Sequence, residues 1–165
     1  MKNLLSVLAL TVVLSACGEK PAKETSDKPA TQAEVAQSVT KEGAIADYMA
    51  LKDAFVQTAV DAAQEAAKNL VESLKAEDMD EATINAASII MTSDDIEAQR
   101  VAFKTITDNM VSKIKESGTE AGVYVQYCPM AFDNTGASWL SLSEDIKNPY
   151  FGDKMLTCGK VEEKL

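Results

Sequence analysis

Two short segments near the C-terminus hold the residues best equipped for chemistry: Tyr127-Cys128-Pro129-Met130 and Met155-Leu156-Thr157-Cys158-Gly159. Each pairs a thiol with a thioether two or three residues away. Thiolate and thioether sulfurs are soft donors that select Cu(I) over hard cations. Zinc is less apt, because it prefers Cys and His to Met, and the chain has no histidine. Alternate residues of an extended segment share a face, so Cys128 and Met130 are expected on one side. Met155 and Cys158 are spaced for one helical turn or a tight loop. A hairpin joining the two segments would bring four sulfurs together. The same residues support a second chemistry. Two cysteines in an exported domain commonly form a disulfide, and a Cys128–Cys158 bond closing a loop of about 30 residues would contribute roughly 3.5 kcal/mol in the chain-entropy model. Met130 and Met155 would then be core filler. Inert thiols are the third alternative, and spacing alone does not choose among the three.

The third cysteine, Cys17, has a different setting. Lys2 supplies a short positive charge, Leu4 to Leu14 form an apolar run broken only by Ser6 and Thr11, and the run ends in Leu14-Ser15-Ala16-Cys17. Eleven residues are too few to span a bilayer as a helix, which takes about 20, but they suit a cleavable signal. The four-residue ending resembles the lipobox of bacterial lipoproteins. That resemblance implies a signal peptide over 1–16 and lipid on the Cys17 thiol. Buried acyl chains, at about 0.8 kcal/mol per CH₂, would hold the protein on a membrane. Gly18 rather than Asp follows the cysteine, so the expected location is the outer membrane, facing the periplasm.

Removing residues 1–16 leaves 149 residues, enough for one domain with a real core. The whole chain carries a net charge of −10, and loss of Lys2 makes it −11. Such an acidic surface repels phosphate backbones, which excludes nucleic acid as an expected partner. Without histidine there is no Ser-His-Asp or Cys-His catalysis and no HExxH zinc site. The chain is therefore expected not to be an enzyme. Carboxylates near the tail, such as Asp133 and Glu144, are what an acid-based activity would have to use.

Several elements must position the sulfurs. Residues 17–42 are polar, contain Pro21 and Pro29, and read as a lipidated cysteine followed by a flexible tether. About 25 coil residues would span roughly 25–30 Å. Residues 43–165 read as a single helical domain whose Cys/Met-containing tail covers 123–162. Ile45, Tyr48, Leu51 (or the stem of Lys52) and Phe55 recur at helical spacing over about 44–56. Thr58 is the expected cap of a second helix, Ala59 to Leu74, with an Ala62, Ala63, Ala66, Ala67 stripe and Leu70, Val71 and Leu74 on its apolar face. A third runs from Asp80 to Met91 with Ile84, Ala87 and Met91 on its face. Thr92, Ser93, Asp94 and Asp95 start a fourth, buried through Ile96, Phe103, Ile106, Met110 and Ile114 and stopped by Gly118. Val123 to Tyr127 reads as a strand, 133–136 as a turn, and 148–152 as another. Trp139, Tyr150 and Phe151 are expected to pack the core of the tail. The fold class is mainly α: an antiparallel helical bundle with a small irregular/β C-terminal segment.

Longer strings carry a second resemblance. Cys128-Pro129-Met130-Ala131-Phe132, Gly136-Ala137-Ser138-Trp139-Leu140-Ser141, Ile146-Lys147-Asn148-Pro149-Tyr150-Phe151-Gly152, Met155-Leu156 and Cys158-Gly159 are similar to a bacterial domain family of unknown function. Ile96 to Phe103 and Tyr48 to Ala54 also look like its pattern, so the resemblance covers about 45–162. The family occurs in stand-alone exported proteins and appended to adaptor subunits of copper/silver efflux pumps. The resemblance implies a helical bundle and a link to periplasmic copper. Members often carry His before Cys-Pro-Met, whereas this chain has Tyr127. With it, the leading expectation is a membrane-tethered protein binding Cu(I) or Ag(I) through Cys128, Met130, Met155 and Cys158, for buffering or transfer to an efflux adaptor. The alternative is a non-catalytic envelope interaction module stapled by Cys128–Cys158.

Overall fold

The computed structural model describes residues 43–119 and 122–165. The expected signal, Cys17 and the tether lie outside the described residues. Four helices come first: α1 (Ala44–Val56), α2 (Val60–Ala76), α3 (Glu81–Thr92) and α4 (Ile96–Ser117). Short connections pack each against the next, as in an antiparallel bundle. A three-stranded antiparallel sheet follows: β1 (Tyr124–Cys128), β2 (Ala137–Ser141) and β3 (Lys160–Lys164), in the order β2-β1-β3. The protein is thus mainly helical with a small C-terminal sheet, as its sequence pattern predicts.

Local chemistry accounts for most helix ends. Asp95 caps α4, its carboxylate accepting the amides of Glu97 at 2.9 Å and Ala98 at 3.4 Å. Asp80 caps α3 through the Thr83 amide at 3.0 Å. The Thr83 hydroxyl also donates to Asp80 Oδ2 at 2.6 Å, and the two bonds, the hydroxyl's first, hold the Asp80 carboxyl below its usual range. Gly118 ends α4 at φ 78. At the start of α1 the Ala44 amide reaches across to Glu77 Oε1 at 2.7 Å, at the far end of α2. The exception is α2. Thr58, expected as its cap, sits at φ 55 and turns its hydroxyl to Arg100, while Ala59 occupies the cap position without a side-chain bond.

The buried faces also differ in detail from the apolar spacing. On α2, Ala63 and Ala67 are buried but Ala62 is exposed. On α3 the core face is Thr83, Ala86, Ala87 and Ile90, so Ile84 is half-buried and Met91 is exposed. Small residues set that face, which an apolar count alone overlooks. On α4, Phe103, Ile106, Met110 and Ile114 are buried as expected, together with Gln99, Arg100 and Thr107.

Aromatic rings join the bundle to the tail. Tyr48 stacks on Phe103 (centroids 5.0 Å), which also meets Phe55 at 5.0 Å and Tyr150 at 5.8 Å. Tyr150 in turn meets Phe132 at 5.2 Å and Trp139 at 6.2 Å. Trp139 and Tyr150 are buried and Phe151 is half-buried, in keeping with their expected packing role. Because these contacts are continuous, helices and sheet share one core rather than two. The strand β3 lies on the outer edge of the sheet with every residue exposed. Lys115–Glu163 at 2.6 Å ties it to the end of α4.

Candidate functional site

The last residue of β1 is Cys128, which is fully buried. Pro129 and Met130 then form a turn, and Phe132, Asp133 and Asn134 follow at φ 49, 54 and 66, a left-handed run that reverses the chain into β2. The strand therefore stops before the alternation expected for Cys128 and Met130 can place them on one face. Met130 is 46 % exposed while Cys128 is buried. Gly136 completes the reversal at φ 83, where a Cβ would collide with the Tyr127 phenol.

Cys158 arrives on a loop that the buried Asn148 closes. Asn148 Nδ2 donates to the Cys158 carbonyl at 2.7 Å, and its backbone amide donates to the Leu156 carbonyl at 2.8 Å. Its Oδ1 accepts the amides of Tyr150 at 2.8 Å and Phe151 at 3.3 Å. One side chain thus satisfies backbone groups at both ends of the loop. Met155 stands within the same turn, its carbonyl accepting the Cys158 amide at 3.0 Å. Gly159 then lets the chain lie flat against β1. A Cβ there would come within 2.7 Å of Trp139 Cη2 and 3.0 Å of the Tyr127 carbonyl.

The outcome is one close pair. Cys128 Sγ and Cys158 Sγ stand 2.8 Å apart across 30 residues of sequence, as free thiols. Antiparallel pairing of β1 with β3, which are separated in the chain by β2, brings the two segments together. Cys128 is buried and Cys158 half-buried, so the pair has one inner and one outer sulfur. The hydrogen bond to Cys128, with lesser contributions from burial and from the charge of a Cys128 thiolate, raises the pKa of the Cys158 thiol. Among the described residues no group of three or more His, Cys, Asp and Glu side chains gathers as an ion site. The two cysteine sulfurs are the converging soft donors, with Met155 one turn from the pair.

Residues 44–122 match a family of proteins of unknown function, DUF3347. The DUF3347 match takes in α1 to α4 and stops two residues before β1, so the Cys/Met tail lies outside it. No curated protein and no solved structure matches the chain.

The residues that secure the tail to these helices were not singled out by their chemistry in the sequence. Arg100 on α4 is buried, and its Nε donates to the Pro149 carbonyl at 3.0 Å. Its other nitrogens reach Glu97 Oε1 at 2.9 Å, Thr58 Oγ1 at 3.3 Å and the Phe55 carbonyl at 3.5 Å. A buried cation inside an otherwise amphipathic helix is the one signal that could have marked it. The loop residue Asn148 has no such signal, since Asn-Pro reads locally as a turn.

Proposed function

We propose that this chain is a lipid-anchored protein facing the periplasm whose tail binds a soft ion, Cu(I) or Ag(I), through Cys128 and Cys158. Met155 and Met130 are its thioether ligands, and its role is to buffer the ion or pass it to a copper/silver efflux adaptor. The observation that carries this reading is the contact of two thiols from segments 30 residues apart, held by Asn148 and Gly159. Soft sulfur donors favour Cu(I) and Ag(I) over hard ions. The lipobox-like Leu14-Ser15-Ala16-Cys17 and the resemblance of the tail to domains on efflux adaptors support the setting. With metal–sulfur bonds of about 2.3 Å, two sulfurs on one tetrahedral ion stand roughly 4 Å apart. Loading therefore requires the pair to part by about 1 Å, which the half-buried Cys158 can provide from the loop side. A Cu(I) competition assay against a chromophoric chelator, on reduced protein, tests the proposal. The wild type should hold Cu(I) at least a hundredfold more tightly than a Cys128→Ser/Cys158→Ser variant; equal affinities would refute it.

The same contact favours a second reading. At 2.8 Å the sulfurs are closer than a shared ion would hold them and within 1 Å of disulfide bonding distance, about 2.05 Å. In an oxidising compartment such a pair closes readily, and the protein would be a stapled interaction module. Counting free thiols in protein taken from the periplasm separates the two. No free thiols, with or without copper during growth, supports the staple, whereas thiols that become protected only by copper support the ion site.

A further inference from the structure

Away from the thiols, a cleft of about 260 Å³ opens between α1 and the residues that follow β2. Met49, Lys52 and Asp53 form one side; Leu142, Asp145 and Lys147 form the other. Lys52 is its unusual member. Its side chain is only 10 % exposed, and removing an ammonium from water costs several kcal/mol unless partners replace the lost hydration. Among the described residues its ion-pair partner is Asp53 Oδ1 at 2.6 Å, on a neighbouring side chain that is 57 % exposed. An ammonium has three donors, and one carboxylate oxygen leaves donating capacity in a side chain that lines the cleft.

The opposite wall is built rather than loose. Ser141 Oγ accepts the Ser143 amide at 3.1 Å and donates to the Ser143 carbonyl at 2.8 Å. The buried Gln126 donates from Nε2 to the carbonyls of Ser143 at 2.8 Å and Asp145 at 3.2 Å. Lys147 stands exposed on this rim, and the half-buried Met49 and Leu142 supply apolar surface. The lining thus combines a buried cation, an exposed cation and two aliphatic side chains. Asp53 and Asp145 beside them would repel a dianion. The volume lies below the 300–1,000 Å³ typical of sites for drug-sized ligands.

We infer that this cleft binds a small aliphatic monocarboxylate, its carboxylate on Lys52 and Lys147 and its chain against Met49 and Leu142. The inference is independent of the thiol pair. It is tested by NMR titration of the ¹⁵N-labelled chain from residue 17 onward, carrying Cys17→Ser to prevent lipidation, with hexanoate as probe. Hexanoate should give saturable shifts at the amides of residues 49–53 and 141–147, whereas hexylammonium and inorganic phosphate should not. Lys52→Met should raise the Kd at least tenfold and Lys52→Arg should restore much of the binding. If Lys52→Met does not fold, Lys147→Met on the exposed rim decides, with an expected several-fold loss. Shifts that fail to saturate, or a Kd unchanged in whichever of these Met variants folds, would overturn the inference, as would equal binding of hexylammonium.

Discussion

The phenol of Tyr48 accepts the backbone amide of Leu140 at 3.1 Å, joining α1 to β2 across 92 residues of sequence. The bond belongs to a relay. Tyr48 Oη lies 2.7 Å from Thr107 Oγ1, whose hydroxyl donates to the Phe103 carbonyl at 3.0 Å, so the phenol donates to Thr107 while receiving from Leu140. An edge strand leaves one row of backbone groups unpaired. Here the bundle itself supplies the partner, from a residue with no exposed surface. The sheet that carries Cys128 is thereby locked in register with the helices.

Replacing Tyr48 with Phe keeps the ring on Phe103 and removes the hydroxyl. The buried Leu140 amide then loses its acceptor, and an unsatisfied buried group costs about 1–3 kcal/mol. Urea unfolding should show a stability lower by that amount, read as a lower midpoint with an unchanged slope. A change below about 0.5 kcal/mol would mean that water replaces the phenol and the relay contributes nothing.

The two buried phenols also set an alkaline limit. Burial raises the pKa of Tyr48 well above the usual tyrosine value, and burial followed by the proximity of Tyr48 does the same for Tyr150. Both groups are held neutral in the folded state, while in the unfolded chain they ionise near pH 10. Their folded pKa values are the higher ones, so this stabilisation is complete below about pH 10 and is lost as pH rises beyond it. Tyrosinate absorbance for these two residues should therefore appear together with loss of the helical signal. Ionisation of both in a fully folded protein would contradict their burial.

Arg100 and Glu97 should behave very differently although they form one ion pair at 2.9 Å. Glu97 is 67 % exposed, and pairs open to solvent contribute about 0–1 kcal/mol. Glu97→Gln should be nearly neutral in thermal unfolding. Arg100→Met instead leaves the Pro149 carbonyl without its buried donor and should cost about 1–3 kcal/mol. It should also loosen the loop that presents Cys158, seen as faster alkylation of that thiol. Equal effects from both substitutions would show that the pair, not the tail contact, is what matters.

Much of this architecture was legible locally, and what was missed has a physical pattern. Asp95 announced α4 because a cap acts within three residues, and the soft donors of the tail were visible from residue type alone. The strand β3 was not, since Lys-Val-Glu-Glu-Lys has no apolar alternation and is ordered by pairing with β1. Thr58 has the right chemistry for a cap, but a guanidinium 42 residues away takes its hydroxyl. Tyr48, Arg100 and Asn148 look ordinary in sequence because their partners are distant or are backbone carbonyls. Spacing suggested a joint position for Cys128 and Met130, and the turn at Pro129 and Met130 that ends β1 undid it. Contacts across long separations decide the site, and periodicity does not report them.

Gly159 tests how finely the pair is placed. A methyl group there would press on Trp139 and on the Tyr127 carbonyl, at a φ of 152 that side chains rarely adopt. Gly159→Ala should destabilise the domain by about 1–3 kcal/mol and move Cys158 away from Cys128. Oxidation of the pair by a disulfide reagent should slow severalfold in consequence. An unchanged oxidation rate would show that Asn148 alone positions the loop.

The raised pKa of the Cys158 thiol gives ion binding a definite pH dependence. An ion that takes the thiolate must displace the proton shared between the sulfurs, so protons compete with the metal. Below the thiol pKa, apparent affinity rises about tenfold per pH unit for each proton released. Cu(I) affinity should therefore increase at least tenfold from pH 6 to pH 7, and Cys158→Ser should make the profile shallower by about one proton. Met155→Leu should weaken binding about tenfold, roughly 1.4 kcal/mol, without altering that slope, because a thioether carries no proton. Met130→Leu should have the smaller effect, its side chain being exposed beyond the turn. An affinity independent of pH would mean that Cys158 is not a ligand, whatever the strength of binding.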